Sequence, residues 1–395
     1  MIVAEESYGR LFFRFLRFGL LAWGGPVAQI AMIRKELVEE ERWISRERFN
    51  RVLAVYQVLP GPEAHELCVY FGMLARGRLG GFLAGLGFML PGFGLMFALS
   101  WFYVMVGITS PVFGAVFAGC QAAVIALIVR AIHRIGQHAL VNSWLCSLAA
   151  LAAITQLVGI HFLLTLAVAG TGYMLMMRQQ RLAALTVCGL FVVGAALCWL
   201  MAGHSAALPV VAAQESVAVQ RPSLLRLFGS GLRSGLLTFG GAYTVIPFLQ
   251  HDAVMVGRWM TDIQFLDGLA LSGILPAPLI IFSTFVGYLG GGPLGAFLLT
   301  AGIFLPAFAF TLVGHELMER LIEKTTLHNF LDGVTAGVVG LIAATTLGLW
   351  RSAITGWLAF VIFVLSLLAL YRWKANAAVA GVVIGAGVLG LFLFR

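Results

Sequence analysis

From Leu182 to Leu200, and again from Ala375 to Phe394, the chain carries no charged residue. Apolar runs of about 20 residues match the hydrocarbon thickness of a bilayer, which a helix crosses at 1.5 Å per residue. Such runs recur along the sequence without the alternation of barrel strands, so the expected fold is an all-α membrane protein of spanning helices. Composition agrees, with 61% of the 395 residues hydrophobic and 11% charged, against roughly 25% charged in a soluble domain. A soluble enzyme is excluded.

The sequence also repeats itself. A shift of 216 positions lays Gly19-Leu20-Leu21-Ala22-Trp23-Gly24-Gly25 on Gly235-Leu236-Leu237-Thr238-Phe239-Gly240-Gly241, Arg42-Trp43 on Arg258-Trp259, and Leu59-Pro60-Gly61-Pro62 on Leu275-Pro276-Ala277-Pro278. With one residue fewer, Leu79-Gly80 falls on Leu294-Gly295 and Leu90-Pro91 on Leu305-Pro306. The repeat units are read as 11–134 and 227–351, inside an N-terminal domain 1–178 and a C-terminal one 224–395, joined by a connecting span and linker 179–223. Apolar runs centred near Leu21, Gly61, Phe93, Ala122, Leu151, Ala169, Val192, Leu237, Leu275, Pro306, Leu341, Phe360 and Ile384 give thirteen candidate spans. Seven precede the second unit, which predicts an inverted-topology repeat.

The net charge is +8, and every basic residue except Lys35, Lys324 and Lys374 is Arg. They cluster in short gaps, which fits membrane orientation better than nucleic-acid binding. With the N-terminus inside, Arg76 and Arg78, Arg130 and Arg134, and Arg178 and Arg181 fall inside as the positive-inside rule asks. The stretch from Arg34 to Arg51 falls outside and breaks the rule. Either it is tolerated there, being nearly charge-balanced, or the Pro60–Pro62 run re-enters instead of spanning.

The paired prolines carry the functional expectation. Each deletes a backbone donor within an apolar run, and freed backbone groups in hydrocarbon cost several kcal/mol unless protein or a wet cavity satisfies them. A single proline is usually a packing kink. Breaks at corresponding positions of two repeats, joined by Gly24-Gly25-Pro26 and Gly240-Gly241, mark a binding site. Converging half-helix N-termini suit a small anion. Arg34, Lys35 and His251 follow the Gly-broken segments and are candidates to add charge, although arginines at span ends are commonly topology anchors. Glu63, His65 and Glu66 follow Pro62, where a carboxylate near mid-membrane costs at least about 2.5 kcal/mol. They are candidates for proton coupling, or else a structural pair with Arg34, Arg76 or Arg78. Their repeat partners Leu279, Ile281 and Phe282 are apolar, so this chemistry belongs to the first unit only.

Other signals are weak. The five cysteines form no CxxC pair, and His65-Glu66 and His315-Glu316 begin HExxH patterns whose fifth residues are Val69 and Glu319, so no metal is expected. No phosphate loop is present, and no cofactor is expected. Met1–Ser7 holds no cleavable apolar core, so the first run is expected to stay in the chain. Spacings such as Gly81 with Gly85 read as helix packing.

The run Phe18-Gly19-Leu20-Leu21-Ala22-Trp23-Gly24-Gly25-Pro26, then Trp43 and Gln57-Val58-Leu59-Pro60-Gly61-Pro62, resembles the chromate ion transporter family. Thr238-Phe239-Gly240-Gly241-Ala242-Tyr243-Thr244-Val245-Ile246-Pro247, with Phe265-Leu266-Asp267-Gly268-Leu269-Ala270 and Leu275-Pro276-Ala277-Pro278, resembles its C-terminal domain. The resemblance implies the long two-domain form, an inner-membrane secondary transporter that exports chromate and confers resistance. The residues alone reach only a small anion. Glu63-Ala64-His65-Glu66 departs from the small hydroxyl residues many members place there, so substrate and coupling could differ. A sulfate transporter of the same architecture is the first alternative, since both anions are tetrahedral. An intramembrane enzyme using Glu63, His65 and Glu66 is the second, and a homodimer is left open.

Overall fold

The computed structural model describes residues 6–23, 25–107, 110–201, 221–239, 241–314, 325–373 and 378–394, and among these every regular element is a helix. They form two compact units: Met1–Arg130 with Gln220–Met318 and Arg351–Arg395, and Ala131–Val219 with Glu319–Trp350.

The larger unit begins with α1 (Tyr8–Leu20), started by the Ser7 side chain, which accepts from the Arg10 N–H. The chain breaks at Leu21–Gly25 and resumes as α2 (Pro26–Ile33), whose proline sits at the helix start, where no donor is needed. A wider π-type stretch, Arg34–Glu40, extends α2. Arg14 pairs with Glu36 and Glu41, and Arg17 with Glu36. Those pairs require α2 to run back along α1, so the run centred near Leu21 is a hairpin rather than a single span.

The same correction applies at Gly61. Helix α3 (Arg46–Val58) starts on Ser45, stops at extended Leu59, and is followed after Pro60-Gly61-Pro62 by α4 (Glu63–Phe102). The Arg48 Nε donates to the Tyr70 hydroxyl at 3.1 Å across a separation of 22 residues, which a continuous helix would stretch to about 33 Å. Phe49 stacks on Phe71 with centroids 6.4 Å apart. The chain therefore folds back at the proline pair, because two prolines and a glycine cannot continue a helical ladder. It reverses again inside α4, at Arg76 and Gly77, where Gly72 lies so close to the Gly80 carbonyl that a Cβ there would be 2.5 Å away.

The second repeat redraws this path. Helix α9 (Leu224–Leu236) is capped by Ser223; a 3₁₀ turn Ala242–Val245, α10 (Ile246–Gln250) and a π-type stretch His251–Val256 then return. Helix α11 (Asp262–Gly273) starts on a Thr261–Gln264 capping box, and after Pro276-Ala277-Pro278 a 3₁₀ turn leads into α12 (Ser283–Leu312). Phe265 packs edge-on to Phe282 at 5.0 Å, so α11 and the start of α12 also fold back. The correspondence reaches single dihedrals. Arg76 and Gly77 (φ −147, ψ 30; φ 64, ψ −160) match Gly291 and Gly292 (φ −148, ψ 23; φ 61, ψ −151). Arg42 (φ 56) and Arg258 (φ 51), both unusual for residues with a Cβ, match too.

Each first hairpin is closed by an ion pair at matching positions, Arg17 with Glu36 and Arg233 with Asp252. Asp252 is 4% exposed and also accepts from the Ser230 hydroxyl at 2.7 Å. Removing a partner from a buried carboxylate is strongly destabilising, so Arg233→Ala is expected to cost about 2–4 kcal/mol, the lower end applying because Arg233 is partly exposed. Thermal melting of the purified protein measures this, and an unchanged Tm would mean the clasp contributes nothing.

The larger unit continues through the second arm of α4 and a short π-type stretch, Tyr103–Gly107, to α5 (Pro111–Ala139), whose last turns belong to the smaller unit. The smaller unit holds α6 (Ser143–Leu157), α7 (Phe162–Met177), α8 (Arg181–Met201) and most of α13 (Thr325–Ala353). Leu145, Leu148, Ala169, Tyr173 and Ala336 form its core. Gly340 packs against the Ala149 backbone, where an added Cβ would lie 2.0 Å from the carbonyl oxygen. Helices α14 (Trp357–Arg372) and α15 (Ala378–Leu393) complete the larger unit. Among the described residues four segments are long and apolar enough to cross a membrane, Glu63–Val106, Pro111–Ala139, Leu279–Leu312 and Thr326–Ala353, with shorter apolar helices besides.

Candidate functional site at the helix breaks

The helices of the hairpins fall into two kinds. Those starting away from the breaks, α1, α3, α9 and α11, are capped by Ser7, Ser45, Ser223 and Thr261. Those starting at the breaks begin on Gly25, Pro62, Gly241 and Pro278, and none has a side-chain cap. The carbonyls of Gly25, Pro62, Gly241 and Pro278 accept from the N–H groups of Ala28, His65, Thr244 and Ile281, and without a side-chain cap the donors ahead of these look to water or a ligand.

The two repeats touch at these breaks within the larger unit, at Gly61 with Thr238 and at Ala277 with Gly92. The Gly61 N–H donates to the Thr238 carbonyl at 2.9 Å, tying the proline tip of the first repeat to Thr238, shortly before Gly241 in the second. A Cβ at Gly61 would lie 3.1 Å from the Ala307 Cβ, and one at Gly92 would lie 2.7 Å from the Ala277 Cβ. Because Gly92 and Ala307 occupy matching positions, each proline tip abuts the other repeat's crossing helix at the same point. Pro60, Gly61, Pro62, Pro276 and Pro278 are all buried here, while Gly25, Pro26 and Gly241 are half-buried. Gly24 and Gly240 lie outside the described residues. Gln29 holds the first Gly-Gly-Pro bend by donating to the Ala22 carbonyl at 3.0 Å.

His65 and Glu66, both 0% exposed, stand behind this point. The His65 ring sits among Phe304 (5.0 Å), Phe308 (4.6 Å) and Phe88 (6.5 Å), and neither ring nitrogen has a hydrogen-bond partner. Neither Glu66 carboxyl oxygen has one either, and a Cβ on Gly61 would come within 2.9 Å of Glu66 Oε1. Glu63 is half-buried at the helix start. Arg76 donates instead to the Glu6 carbonyl at 2.7 Å, so it does not pair with Glu66. Arg34 faces Glu39 and the Phe49 ring, and Lys35 faces Glu40. Both lie on the π-type stretch, at the hairpin's far end from its glycine tip, and His251 opens the matching stretch. Three of the sequence-derived candidates thus sit apart from the breaks, while Gly61 lies beside Glu66.

One buried carboxylate escaped the sequence reading. Asp267 on α11 is 4% exposed and accepts from the Tyr103 hydroxyl at 2.7 Å and Gln121 Nε2 at 2.8 Å. The cost of a charge in an apolar run, applied above to Glu63 and Glu66, applies equally to this single Asp between Phe265 and Leu271.

Duplicated, broken helical hairpins with uncapped starts define a multi-pass membrane protein of the transporter class. The sequence model described as "Chromate transporter" matches residues 9–177 and again 225–391, and the chain belongs to the chromate transporter family. It is 55% identical over 394 residues to the chromate transport protein of Pseudomonas aeruginosa, covering 98% of this chain and 93% of the relative. To the chromate transport protein of Cupriavidus metallidurans it is 29% identical over 392 residues, covering 96% and 92%. No solved structure matches.

Proposed function

We propose that this chain is a secondary transporter that moves chromate outward across an inner membrane, holding the dianion at the four helix breaks. The absence of a side-chain cap at all four break starts supports this most directly. The starts at Gly25 and Pro62 open α-helices, each with roughly half a positive charge at its N-terminus, and the 3₁₀ turns after Gly241 and Pro278 add backbone N–H groups, a set that suits a dianion without a dedicated cation. That accounts for the sites of Arg34 and Lys35, whose charges are already met by Glu39 and Glu40. A site of backbone donors reads charge and tetrahedral shape, so discrimination against sulfate rests on how closely Gly25, Gly61 and Gly241 let the backbone approach. Glu66, buried without a partner, would exchange the coupling proton, with His65 and Glu63 beside it.

The fold-backs support a membrane path of nine crossings. Of the thirteen candidate spans, those near Leu21, Gly61, Leu237 and Leu275 become re-entrant hairpins. Five crossings then separate the repeats, and an odd number still inverts the second. The Arg34–Arg51 stretch moves to the inner side, leaving only Arg221, Arg226, Arg233, Arg258, Arg351 and Arg395 outside, as the positive-inside rule asks. In a cysteine-free background, Arg46→Cys and Arg78→Cys are expected to react with an impermeant maleimide from the same side. Labelling from opposite sides would restore a span at Gly61.

Transport itself tests the substrate. Purified protein in liposomes is expected to accumulate labelled chromate, and competition by equimolar sulfate that halves the signal would favour the broader oxyanion reading.

A further inference from the structure

The glycine and proline breaks are duplicated, but the carboxyls of Glu66 and Asp267 are not: Glu66 matches Phe282, and Asp267 matches the exposed Arg51. Asp262 accepts from Gln250 Nε2 at 2.9 Å, while the carboxylates that close the first hairpins are held by arginine, Glu36 by Arg14 and Arg17 and Asp252 by Arg233. Asp267 is held differently. Its two oxygens face Tyr103 Oη and Gln121 Nε2, and no cation pairs with it among the described residues. A hydroxyl can turn from donor to acceptor, and an amide can turn its oxygen where its nitrogen was. Both partners can therefore satisfy the carboxylate and the protonated carboxyl alike, whereas a guanidinium would hold the charged form alone.

Among the described residues little competing charge surrounds it, the other carboxyl of α11 being Asp262 in the first turn. The 3₁₀ turn Leu279–Phe282 and α15, which pack on α11, have no titratable side chain, and α12 has only Tyr288. The ionisable groups of α4 stand at its first arm and at the turn: Glu63, His65, Glu66, Cys68, Tyr70, Arg76 and Arg78. On α5, Cys120 is within electrostatic reach, while Arg130, His133, Arg134 and His138 lie more than two turns further along. The three groups also come from different elements: Asp267 from a hairpin of the second repeat, Tyr103 and Gln121 from the crossing helices of the first. A change of protonation there reorients the bonds between hairpin and crossing helices.

We propose that Asp267 is a second proton-binding site, gaining and losing one proton per transport cycle through bonds to Tyr103 and Gln121. This rests on the proton-coupled reading above. Wild type and Asp267→Asn, both monodisperse, are reconstituted in liposomes, and chromate accumulation is measured against the pH gradient. Loss of one coupled proton lowers accumulation about tenfold at a gradient of one pH unit. The infrared carboxyl band that titrates in wild type is also expected to lose the Asp267 component. Unchanged accumulation together with an unchanged band overturns the proposal. A wild type indifferent to the pH gradient overturns proton coupling instead, and the infrared band still decides whether Asp267 binds a proton. Should Asp267→Asn not purify, Tyr103→Phe leaves the carboxyl with one hydrogen bond fewer, and its band is expected to move; an unmoved band overturns the proposal.

Discussion

Gly61→Val is expected to reduce chromate transport by at least about 100-fold, or roughly 2.7 kcal/mol of lost stabilisation along the transport cycle. Gly61 occupies the tip of the first proline turn at φ 155, and a Cβ there would meet Glu66 Oε1 at 2.9 Å and the Ala307 Cβ at 3.1 Å. Its N–H also holds the Thr238 carbonyl, so a side chain would pry apart the two repeats' break segments where they touch. Overpacking of this kind commonly costs 1–3 kcal/mol, so the variant is expected to remain purifiable. Ala277→Gly, at the matching tip of the second repeat, provides the control. It removes a methyl instead of adding one, and transport within a few-fold of wild type is expected. Equal losses in both variants would show that the tips are structural only.

Glu66→Gln is expected to leave chromate exchange across the membrane measurable but to lower gradient-driven accumulation about tenfold at a gradient of one pH unit, the share of one coupled proton. The carboxyl is 0% exposed with neither oxygen partnered. A lasting charge in such a place is costly, so the group is suited to gain and lose a proton as its surroundings open. Glutamine preserves the shape and removes the exchangeable acid. A Gln variant with full gradient dependence would take the coupling role away from Glu66. The Asp267 experiment would then decide whether the second site carries it.

How much of this was legible in the sequence follows from the range of each signal. The apolar runs, the repeat and the four breaks are local, because proline and glycine act on the backbone within a turn of themselves. Pro60, Pro62, Pro276 and Pro278 accordingly break the chain as their chemistry requires. Whether a break bends a span or reverses it depends on contacts such as Arg48 with Tyr70, across 22 residues, which no window of hydropathy contains. The unexplained charges from Arg34 to Arg51 were the sequence's trace of that reversal. Arg34, Lys35 and His251 stand within about ten residues of the glycines along the chain. The hairpin carries Arg34 and Lys35 to its far end beside Glu39 and Glu40. Asp267 was hidden because its partners, Tyr103 and Gln121, lie 164 and 146 residues away.

The central claim is that the paired helix breaks carry chromate outward under a proton gradient. Uptake of labelled chromate into everted membrane vesicles containing this chain tests it most directly, with and without an imposed gradient and with sulfate as competitor. The account predicts gradient-dependent accumulation that survives excess sulfate and disappears in Gly61→Val. Absence of accumulation, or accumulation erased by modest sulfate, would contradict it.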